Sequence, residues 1–218
     1  MKIQRALFSQ IQEYLLPGKV LVLYGPRQVG KTTLAQDLLN LSPLKSHFIN
    51  ADELFYREAL ASQDKQRLKE LLGDTKLLII DEAQRVPNIG LNLKILVDNF
   101  PDVHILATGS ASFDLANKIS EPLTGRKITF TLFPISYGEM QENIGALEAR
   151  KQLERWLIWG GYPEIISAET PKLRARLLDE LVGSYLYKDL LEMENIQHAE
   201  KIVDFIKTLN PTANHFQY

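Results

Sequence analysis

One segment, residues 25–32, most constrains what this chain of 218 residues can fold into. It reads Gly-Pro-Arg-Gln-Val-Gly-Lys-Thr and fits the pattern G-x-x-x-x-G-K-[ST] at every fixed position. It stands between an apolar run, residues 20–24, and a predicted helix over residues 31–39. In that context, backbone N–H groups of the loop and the dipole of the helix hold phosphate groups. The alternative is a glycine-rich turn that only caps the helix.

The loop and the first turn of the helix supply the candidate nucleotide-binding residues. Lys31 adds a mobile positive charge for the β- and γ-phosphates, and Thr32 offers its hydroxyl to Mg²⁺. Thr33 is a candidate for the α-phosphate. We therefore expect ATP and Mg²⁺ as cofactors. The predicted phosphate-binding residues are Gly25, Pro26, Arg27, Gln28, Val29, Gly30, Lys31, Thr32 and Thr33.

Two acidic residues, Asp81 and Glu82, follow the apolar run over residues 77–80. The run predicts a buried strand, and ligands of open α/β sheets bind just beyond the carboxyl ends of such strands. Asp81 is therefore a candidate metal residue that holds Mg²⁺ through its water shell, and Glu82 is the candidate general base for the attacking water. The alternative is that both acids only cap the next turn. A carboxylate placed to activate water favours hydrolysis over phosphoryl transfer to a metabolite, because a small-molecule kinase must keep water from the γ-phosphate.

A third apolar run, residues 103–107, ends in Thr108-Gly109-Ser110. The hydroxyls of Thr108 and Ser110 are candidates to sense the γ-phosphate or to hold the attacking water. Threonine and serine also occur at strand ends simply as turn formers, so both interpretations stay open.

Short apolar strands alternate with helices up to about residue 132, which predicts a parallel sheet covered by helices on both faces. After Phe133-Pro134 no strand-like run follows, and a small all-helical subdomain is predicted. The expected fold class is thus α/β, a three-layer P-loop NTPase, with a P-loop ATPase domain over 1–140. A helical, lid-like subdomain and the start of a C-terminal region occupy 141–218. The predicted helices are 3–15, 31–39, 52–72 with a break at 62–64, 88–100, 112–119, 147–159, 172–194 and 199–209; the predicted strands are 19–24, 47–50, 76–80, 103–107 and 127–132.

Composition limits the other classes of function. The formal net charge of −2 provides no broadly cationic surface, so nucleic-acid binding would need a local patch. The chain contains no cysteine, which excludes disulfides and thiolate sites and fits a reducing compartment. The apolar runs are too short to cross a bilayer, and residues 1–10 do not resemble a signal peptide. We therefore expect a cytoplasmic protein without a membrane partner.

With these residues in place, the chain resembles the AAA+ ATPases. Among them it is similar to a prokaryotic family that pairs an N-terminal AAA-type domain with a C-terminal region of unknown function. The resemblance implies a strand order of 5-1-4-3-2, and it implies that Ser110, or failing that Thr108, is the sensor residue. Members of this family are usually longer, so we expect this chain to be shortened at its C-terminus. The matching stretches are residues 25–33, 77–84, 105–112, 123–126, 133–139, 160–164 and 185–192.

The resemblance also implies a catalytic role for Arg126, just before the fifth strand. In AAA+ proteins an arginine finger at this place reaches the γ-phosphate bound to a neighbouring subunit, which implies a homo-oligomer or a protein partner. The alternative is a surface arginine on a glycine-containing turn. A sensor-2 arginine cannot be assigned: Arg174 and Arg176 are the nearest candidates, and a charged surface helix explains them equally well.

Three functions are compatible with these residues. The first is an ATP-hydrolysing AAA+ module whose nucleotide state drives a partner or an attached domain. The second is a nucleotide-gated interaction module that binds ATP and turns it over negligibly. The third is a DNA-associated ATPase, which the net negative charge does not favour.

Overall fold

A computed structural model of the chain describes residues 3–110 and 122–182. The chain divides into two compact units, Met1–Ala168 and Glu169–Tyr218, and each is described by itself. This division differs from the domain boundary placed after residue 140, which stays a prediction. The helices predicted over 112–119 and 199–209 lie outside the described residues, as does the last part of the helix predicted over 172–194. Within the described residues, no helix is long and apolar enough to span a membrane.

Five strands of the first unit form one parallel sheet. They are β1 (Val20–Gly25), β2 (Ser46–Asn50), β3 (Leu77–Asp81), β4 (His104–Ser110) and β5 (Lys127–Thr131). Their order across the sheet is β5-β1-β4-β3-β2, which confirms the predicted α/β fold with strand order 5-1-4-3-2. Because all the strands run the same way, their carboxyl ends meet at one edge. The loop after β1 therefore lies at the same edge as the residues that end β3 and β4.

Helices connect and flank these strands. Among the described residues, the helices of the first unit are α1 (Leu7–Tyr14), α2 (Lys31–Leu41), α3 (Leu54–Ala61), α4 (Lys65–Leu72), α5 (Ile89–Asn99), α6 (Tyr137–Ile144), α7 (Ala146–Lys151), α8 (Leu153–Trp159) and α9 (Pro163–Ser167); α10 (Pro171–Leu181) belongs to the second unit. A short 3₁₀-helix, Ala83–Arg85, follows β3.

Both faces of the central strands β1, β3 and β4 are buried, because successive side chains of these strands point into different cores. In β1, Val22 packs into one core and Leu23 into the other, and both are fully buried. Helices α3, α4 and α5 cover the first face, and α1 and α2 cover the second. Each fully buried aliphatic side chain stabilises the fold by about 1.5–3 kcal/mol, so the two covered faces hold the three layers together. The covering side chains include Leu60, Leu68 and Leu93 on the first face, and Ile11, Leu34 and Leu38 on the second.

The predicted break between α3 and α4 is confirmed, and its cause is local. Gln63 adopts a left-handed conformation with φ of 52°, which interrupts the helix. The Asp64 carboxylate then caps α4 by accepting hydrogen bonds from the backbone N–H groups of Gln66 and Arg67, at 2.7 and 3.3 Å.

Helix α6 is not predicted from the sequence, in a segment where the predicted domain boundary falls. The helix begins with a capping box: the Ser136 hydroxyl accepts from the Glu139 N–H at 3.1 Å, and the Glu139 carboxylate accepts from the Ser136 N–H at 2.8 Å. The spacing S-x-x-E is the signal that could have identified it. The single helix predicted over 147–159 is divided at Gln152 into α7 and α8.

Glu139 makes stability depend on pH. Burial raises the pKa of its carboxyl, but hydrogen bonds from the Ser136 N–H and the Arg5 guanidinium outweigh burial, and the pKa lies below its ordinary value. The ionised form therefore stabilises the fold above the unfolded pKa of about 4.3, and that contribution is lost as pH falls through the lower folded value. We expect Glu139→Gln to destabilise the protein at pH 7 and the difference from wild type to shrink below about pH 4.

Chemical denaturation of both proteins between pH 7 and pH 3 measures this difference. Glu58→Gln is the matched control, because Glu58 is an exposed residue of α3. A Glu139→Gln effect that stays constant over the whole pH range would contradict the assignment.

Candidate functional site

The loop between β1 and α2 has the backbone expected of a phosphate cradle. Gln28 and Gly30 have positive φ angles of 61° and 97°, and turns of this kind aim successive N–H groups inward. Gly25 is required by close approach, because a Cβ atom there would lie 2.3 Å from the Leu132 carbonyl oxygen. Val29 is fully buried and anchors the loop to the core. The predicted loop thus exists as a defined structure at the carboxyl edge of the sheet.

Lys31 lies within this loop. Its ammonium donates hydrogen bonds to the carbonyl oxygens of Gly25 and Pro26, at 2.9 and 2.8 Å. The side chain is only 6% exposed, so the positive charge is held inside the cradle rather than in solvent. The charge thus lies at the phosphate loop, and its role toward the β- and γ-phosphates stays a prediction.

Asp81, at the end of β3, joins the loop to the centre of the sheet. Its carboxylate accepts a hydrogen bond from the Thr32 hydroxyl at 2.8 Å and another from the Thr108 hydroxyl. Asp81 is 4% exposed. The two residues predicted to serve Mg²⁺, Thr32 and Asp81, are therefore in direct contact. A hydroxyl and a single carboxylate beside a phosphate cradle fit Mg²⁺, a hard cation that prefers oxygen ligands and retains several waters.

Thr108 and Ser110 occupy different positions at this edge. Thr108 is fully buried and follows Ala107, which pairs with Ile80, so Thr108 reaches Asp81 on the neighbouring strand. Its hydroxyl orients the Asp81 carboxylate. Ser110 is the last residue of β4 and pairs with Gly25, at the beginning of the loop. The assignment of either hydroxyl as a γ-phosphate sensor stays a prediction.

Glu82 follows Asp81 and has a left-handed backbone with φ of 54°. A non-glycine residue in that conformation costs on the order of 1 kcal/mol or more, and such strain concentrates at functional sites. The Glu82 carboxylate accepts a hydrogen bond from the Gln84 side-chain amide. The chain thus turns sharply after β3, and the assignment of Glu82 as the general base stays a prediction.

A cleft of about 130 Å³ adjoins the phosphate loop on the side of α2. Thr33 and Gly30 form one wall, and Asp37 continues it along α2. Arg5 from the N-terminal segment and Pro163 from α9 lie on other sides. Thr33 therefore lines a space next to the phosphate loop.

The sequence model of one protein family, AAA_14, described as an AAA domain, matches residues 17–141. The match includes the phosphate loop, the Asp81-Glu82 pair and Arg126. The chain belongs to this AAA domain family. A second model, for a domain of unknown function designated DUF8612, matches residues 150–218. The two matches confirm the resemblance to proteins that pair an AAA-type domain with a C-terminal region of unknown function.

Relatives of this AAA domain protein occur in archaea and bacteria. The chain is 28% identical over 215 residues to an uncharacterized protein of Methanocaldococcus jannaschii, covering 91% of this chain and 48% of that protein. It is 31% identical over 195 residues to an uncharacterized protein of Mycobacterium tuberculosis, with coverages of 87% and 40%. Among solved structures, it is similar to a signal transduction ATPase with numerous domains and a tetratricopeptide repeat sensor from Pyrococcus horikoshii. That similarity has a TM-score of 0.49 and 15% identity, and covers 88% of this chain and 34% of that one. The chain spans less than half the length of each of these proteins.

Arg126 of this AAA domain lies far from its own phosphate loop. Its carbonyl oxygen accepts from the N–H of Val20, the first residue of β1, whereas the loop begins at Gly25. Val20 and Gly25 lie roughly 17 Å apart along β1, at about 3.3 Å per residue of strand. The Arg126 side chain is 42% exposed and pairs with Asp98 of α5. The structure thus places Arg126 at the opposite edge of the sheet from the other predicted catalytic residues.

The sensor-2 candidates belong to the second unit, on α10. Arg176 pairs with Glu180 at 3.3 Å on an exposed helix face, and Arg174 donates to the Glu169 carbonyl oxygen at 3.2 Å. Arg176 is a surface residue, whereas Arg174 is only 6% exposed, so a charged surface helix explains Arg176 but not Arg174. The sensor-2 assignment stays open.

Three residues that adjoin this AAA domain site were not predicted from the sequence: Arg5, Gln84 and Glu139. Gln84 ends the stretch Asp-Glu-Ala-Gln and could have been noticed there. Glu139 carried the capping-box signal. Arg5 gave no local signal, because the groups it contacts lie 24 to 134 residues away in the chain.

Proposed function

We propose that the chain is an ATPase module that binds ATP with Mg²⁺, hydrolyses it, and transmits its nucleotide state to a protein partner or an attached domain. The main support is the hydrogen bond between the Thr32 hydroxyl and the Asp81 carboxylate. It brings together the hydroxyl and the carboxylate predicted to serve Mg²⁺, beside the phosphate loop and Lys31. Membership of the AAA domain family agrees with this assignment.

Thr32 and Asp81 would hold Mg²⁺, which when bound would supply positive charge beside the β- and γ-phosphates. Lys31 exchanges its contacts with loop carbonyls for phosphate oxygens. Glu82 accepts a proton from water as the water oxygen bonds to the γ-phosphorus, and the bond to the β–γ bridging oxygen breaks. The products are ADP and inorganic phosphate. The cleft beside Thr33 adjoins the α-phosphate side and suits the nucleoside.

The placement of Arg126 supports a second candidate function. In an isolated chain no arginine from the opposite sheet edge can reach the γ-phosphate, so a monomer would bind ATP and hydrolyse it negligibly. Such a chain would be a nucleotide-gated interaction module. We propose that the active form is a homo-oligomer or a complex with a protein partner, in a cytoplasmic setting without membrane contact.

Replacement of Lys31 tests the phosphate-loop assignment. Lys31→Ala removes the buried charge, so the phosphates would face only backbone dipoles. We expect the affinity for ATP to fall about 10- to 100-fold, the effect of losing hydrogen bonds to a charged group. Equilibrium titration with a fluorescent ATP analogue and Mg²⁺ measures the loss.

The matched control is Lys19→Ala, which removes an exposed lysine just before β1, at the opposite edge of the sheet. It should bind ATP like the wild type. Equal affinity for ATP in the wild type and Lys31→Ala would overturn the assignment.

A further inference from the structure

Arg5 connects three segments of the first unit that are distant in sequence. Its guanidinium donates to the Val29 carbonyl oxygen at 2.9 Å, to the Phe133 carbonyl oxygen, and to the Glu139 carboxylate at 3.0 Å. The side chains of Arg5 and Glu139 are only 10% and 9% exposed. The planar guanidinium offers its donors in a fixed fork, so these contacts hold one geometry.

Glu139 completes the other side of this cluster. Besides Arg5, its carboxylate accepts from the backbone N–H groups of Ala6 at 3.0 Å and Ser136 at 2.8 Å. The N-terminal segment is tied to α6 a second time through Asn143. The Asn143 amide accepts from the Gln4 N–H at 2.7 Å and donates to the Gln4 carbonyl oxygen at 3.0 Å. These hydrogen bonds therefore hold helix α6 against the N-terminal segment, beside the phosphate loop.

The contact with Val29 bears directly on the loop. A trans peptide unit is planar and rigid, so its carbonyl and N–H groups point in opposite directions. By fixing the Val29 carbonyl, Arg5 fixes the direction of the Gly30 N–H, one of the donors that a phosphate loop aims at its ligand. Arg5 and Pro163 both border the loop here, because a Cβ atom on Gly30 would make ordinary van der Waals contact with the Arg5 guanidinium at 3.9 Å and with Pro163 at 4.0 Å.

From these contacts we infer that Arg5 and Glu139 are positioning residues for nucleotide phosphates, and that they couple occupation of the loop to helix α6. This inference rests on the proposed function, since it requires that the loop bind a nucleotide. When phosphates engage the Gly30 N–H, the Val29 peptide becomes more firmly held. Arg5 transmits that restraint to Glu139 and the first turn of α6. Binding of nucleotide to the loop thereby restrains helix α6, which follows the sheet in the chain.

The test compares three variants with wild type: Arg5→Met, Arg5→Lys and Glu139→Gln. Arg5→Met removes the fork and should weaken binding of both ADP and ATP about 10- to 100-fold, as expected for lost hydrogen bonds to a charged group. Arg5→Lys keeps the charge without the fork and should show an intermediate loss. Lys45→Met is the matched control, because Lys45 makes an exposed ion pair with Asp74 just before β2, at the far edge of the sheet.

Hydrogen–deuterium exchange separates positioning from a purely structural role. In the wild type, Mg²⁺-ADP should slow exchange in the phosphate loop and also in residues 137–144. In Arg5→Met, saturating Mg²⁺-ADP should slow exchange in the loop alone. If Arg5→Met does not fold, the same comparison with Arg5→Lys and Glu139→Gln should show reduced coupling to α6.

Two results would overturn the inference on its own: wild-type nucleotide affinity in Arg5→Met, or unchanged protection of residues 137–144 by nucleotide in the folded variants. If the wild type itself binds neither ADP nor ATP, the proposed function fails and this inference fails with it. Binding by the wild type in the same titration distinguishes these cases.

Discussion

Glu82→Gln should reduce the rate of ATP hydrolysis by about 10²- to 10⁴-fold, the usual contribution of a positioned general base. Glutamine preserves the size of the side chain and its capacity to accept a hydrogen bond from Gln84, but it cannot take a proton from water. The affinity for ATP should stay close to that of wild type, because Lys31, Thr32 and Asp81 are unchanged. The substitution should therefore separate binding from chemistry.

The strained position of Glu82 makes this prediction specific. Its left-handed backbone, with φ of 54°, turns the chain immediately after the buried Asp81. A carboxylate whose role was to cap the following 3₁₀-helix would accept a hydrogen bond from a backbone N–H of that helix. In this described segment the Glu82 side chain makes no such capping hydrogen bond. Its carboxylate accepts from the Gln84 side chain instead.

Single-turnover hydrolysis, followed as release of inorganic phosphate, measures the effect, and titration with a fluorescent ATP analogue measures affinity. Glu58→Gln is the matched control, because it makes the same chemical change on an exposed position of α3. Hydrolysis by Glu82→Gln at the wild-type rate would mean that another residue is the base. Loss of ATP binding in Glu82→Gln would instead indicate a role in holding the nucleotide.

Much of the fold was predictable because its signals are local. Each central strand is a short apolar run. Strand β1 ends at Gly25 and β3 ends at Asp81, and residues of these types are typical of a ligand site at the carboxyl edge of a parallel sheet. The contact between Thr32 and Asp81 follows from that shared edge. The strand order came from the resemblance to AAA+ proteins, since the periodicity of the sequence does not specify which strands are neighbours.

The remaining features depend on contacts between distant residues. Thr108 was considered as a sensor of the γ-phosphate, and only the pairing of β4 with β3 shows that its hydroxyl reaches Asp81. No helix is predicted over residues 137–144, whereas the capping box of Ser136 and Glu139 begins one at Tyr137. Arg5 could not be singled out, because its role depends on a carboxylate 134 residues away.

Arg126→Ala should nearly abolish turnover, by roughly 10³- to 10⁵-fold in kcat, if Arg126 completes the site of a neighbouring subunit as an arginine finger. Nucleotide affinity should stay close to normal, because Arg126 lies at the opposite edge of the sheet from its own loop. For the same reason, wild-type activity per subunit should rise with protein concentration as subunits assemble. Steady-state hydrolysis over a range of protein concentrations measures the loss of kcat in Arg126→Ala and the concentration dependence of the wild-type activity.

The ion pair with Asp98 provides a matched control. Arg126 and Asp98 are 42% and 38% exposed, and exposed pairs of this kind contribute only about 0–1 kcal/mol to stability. Asp98→Asn breaks the pair but keeps the arginine, so it should retain turnover. If Asp98→Asn loses as much activity as Arg126→Ala, the ion pair and not the guanidinium is what matters.

Mixing two inactive variants gives the sharpest test of a shared site. Arg126→Ala keeps an intact phosphate loop, and Lys31→Ala keeps its arginine at the opposite edge of the sheet. In a mixed assembly, an Arg126→Ala subunit can bind ATP while a Lys31→Ala neighbour supplies the guanidinium, so some hydrolysis should return. Since Arg126 cannot reach its own loop along β1, recovered activity has no explanation within one subunit. If no activity returns, and the wild-type rate per subunit does not depend on concentration, Arg126 is a structural residue of the turn before β5.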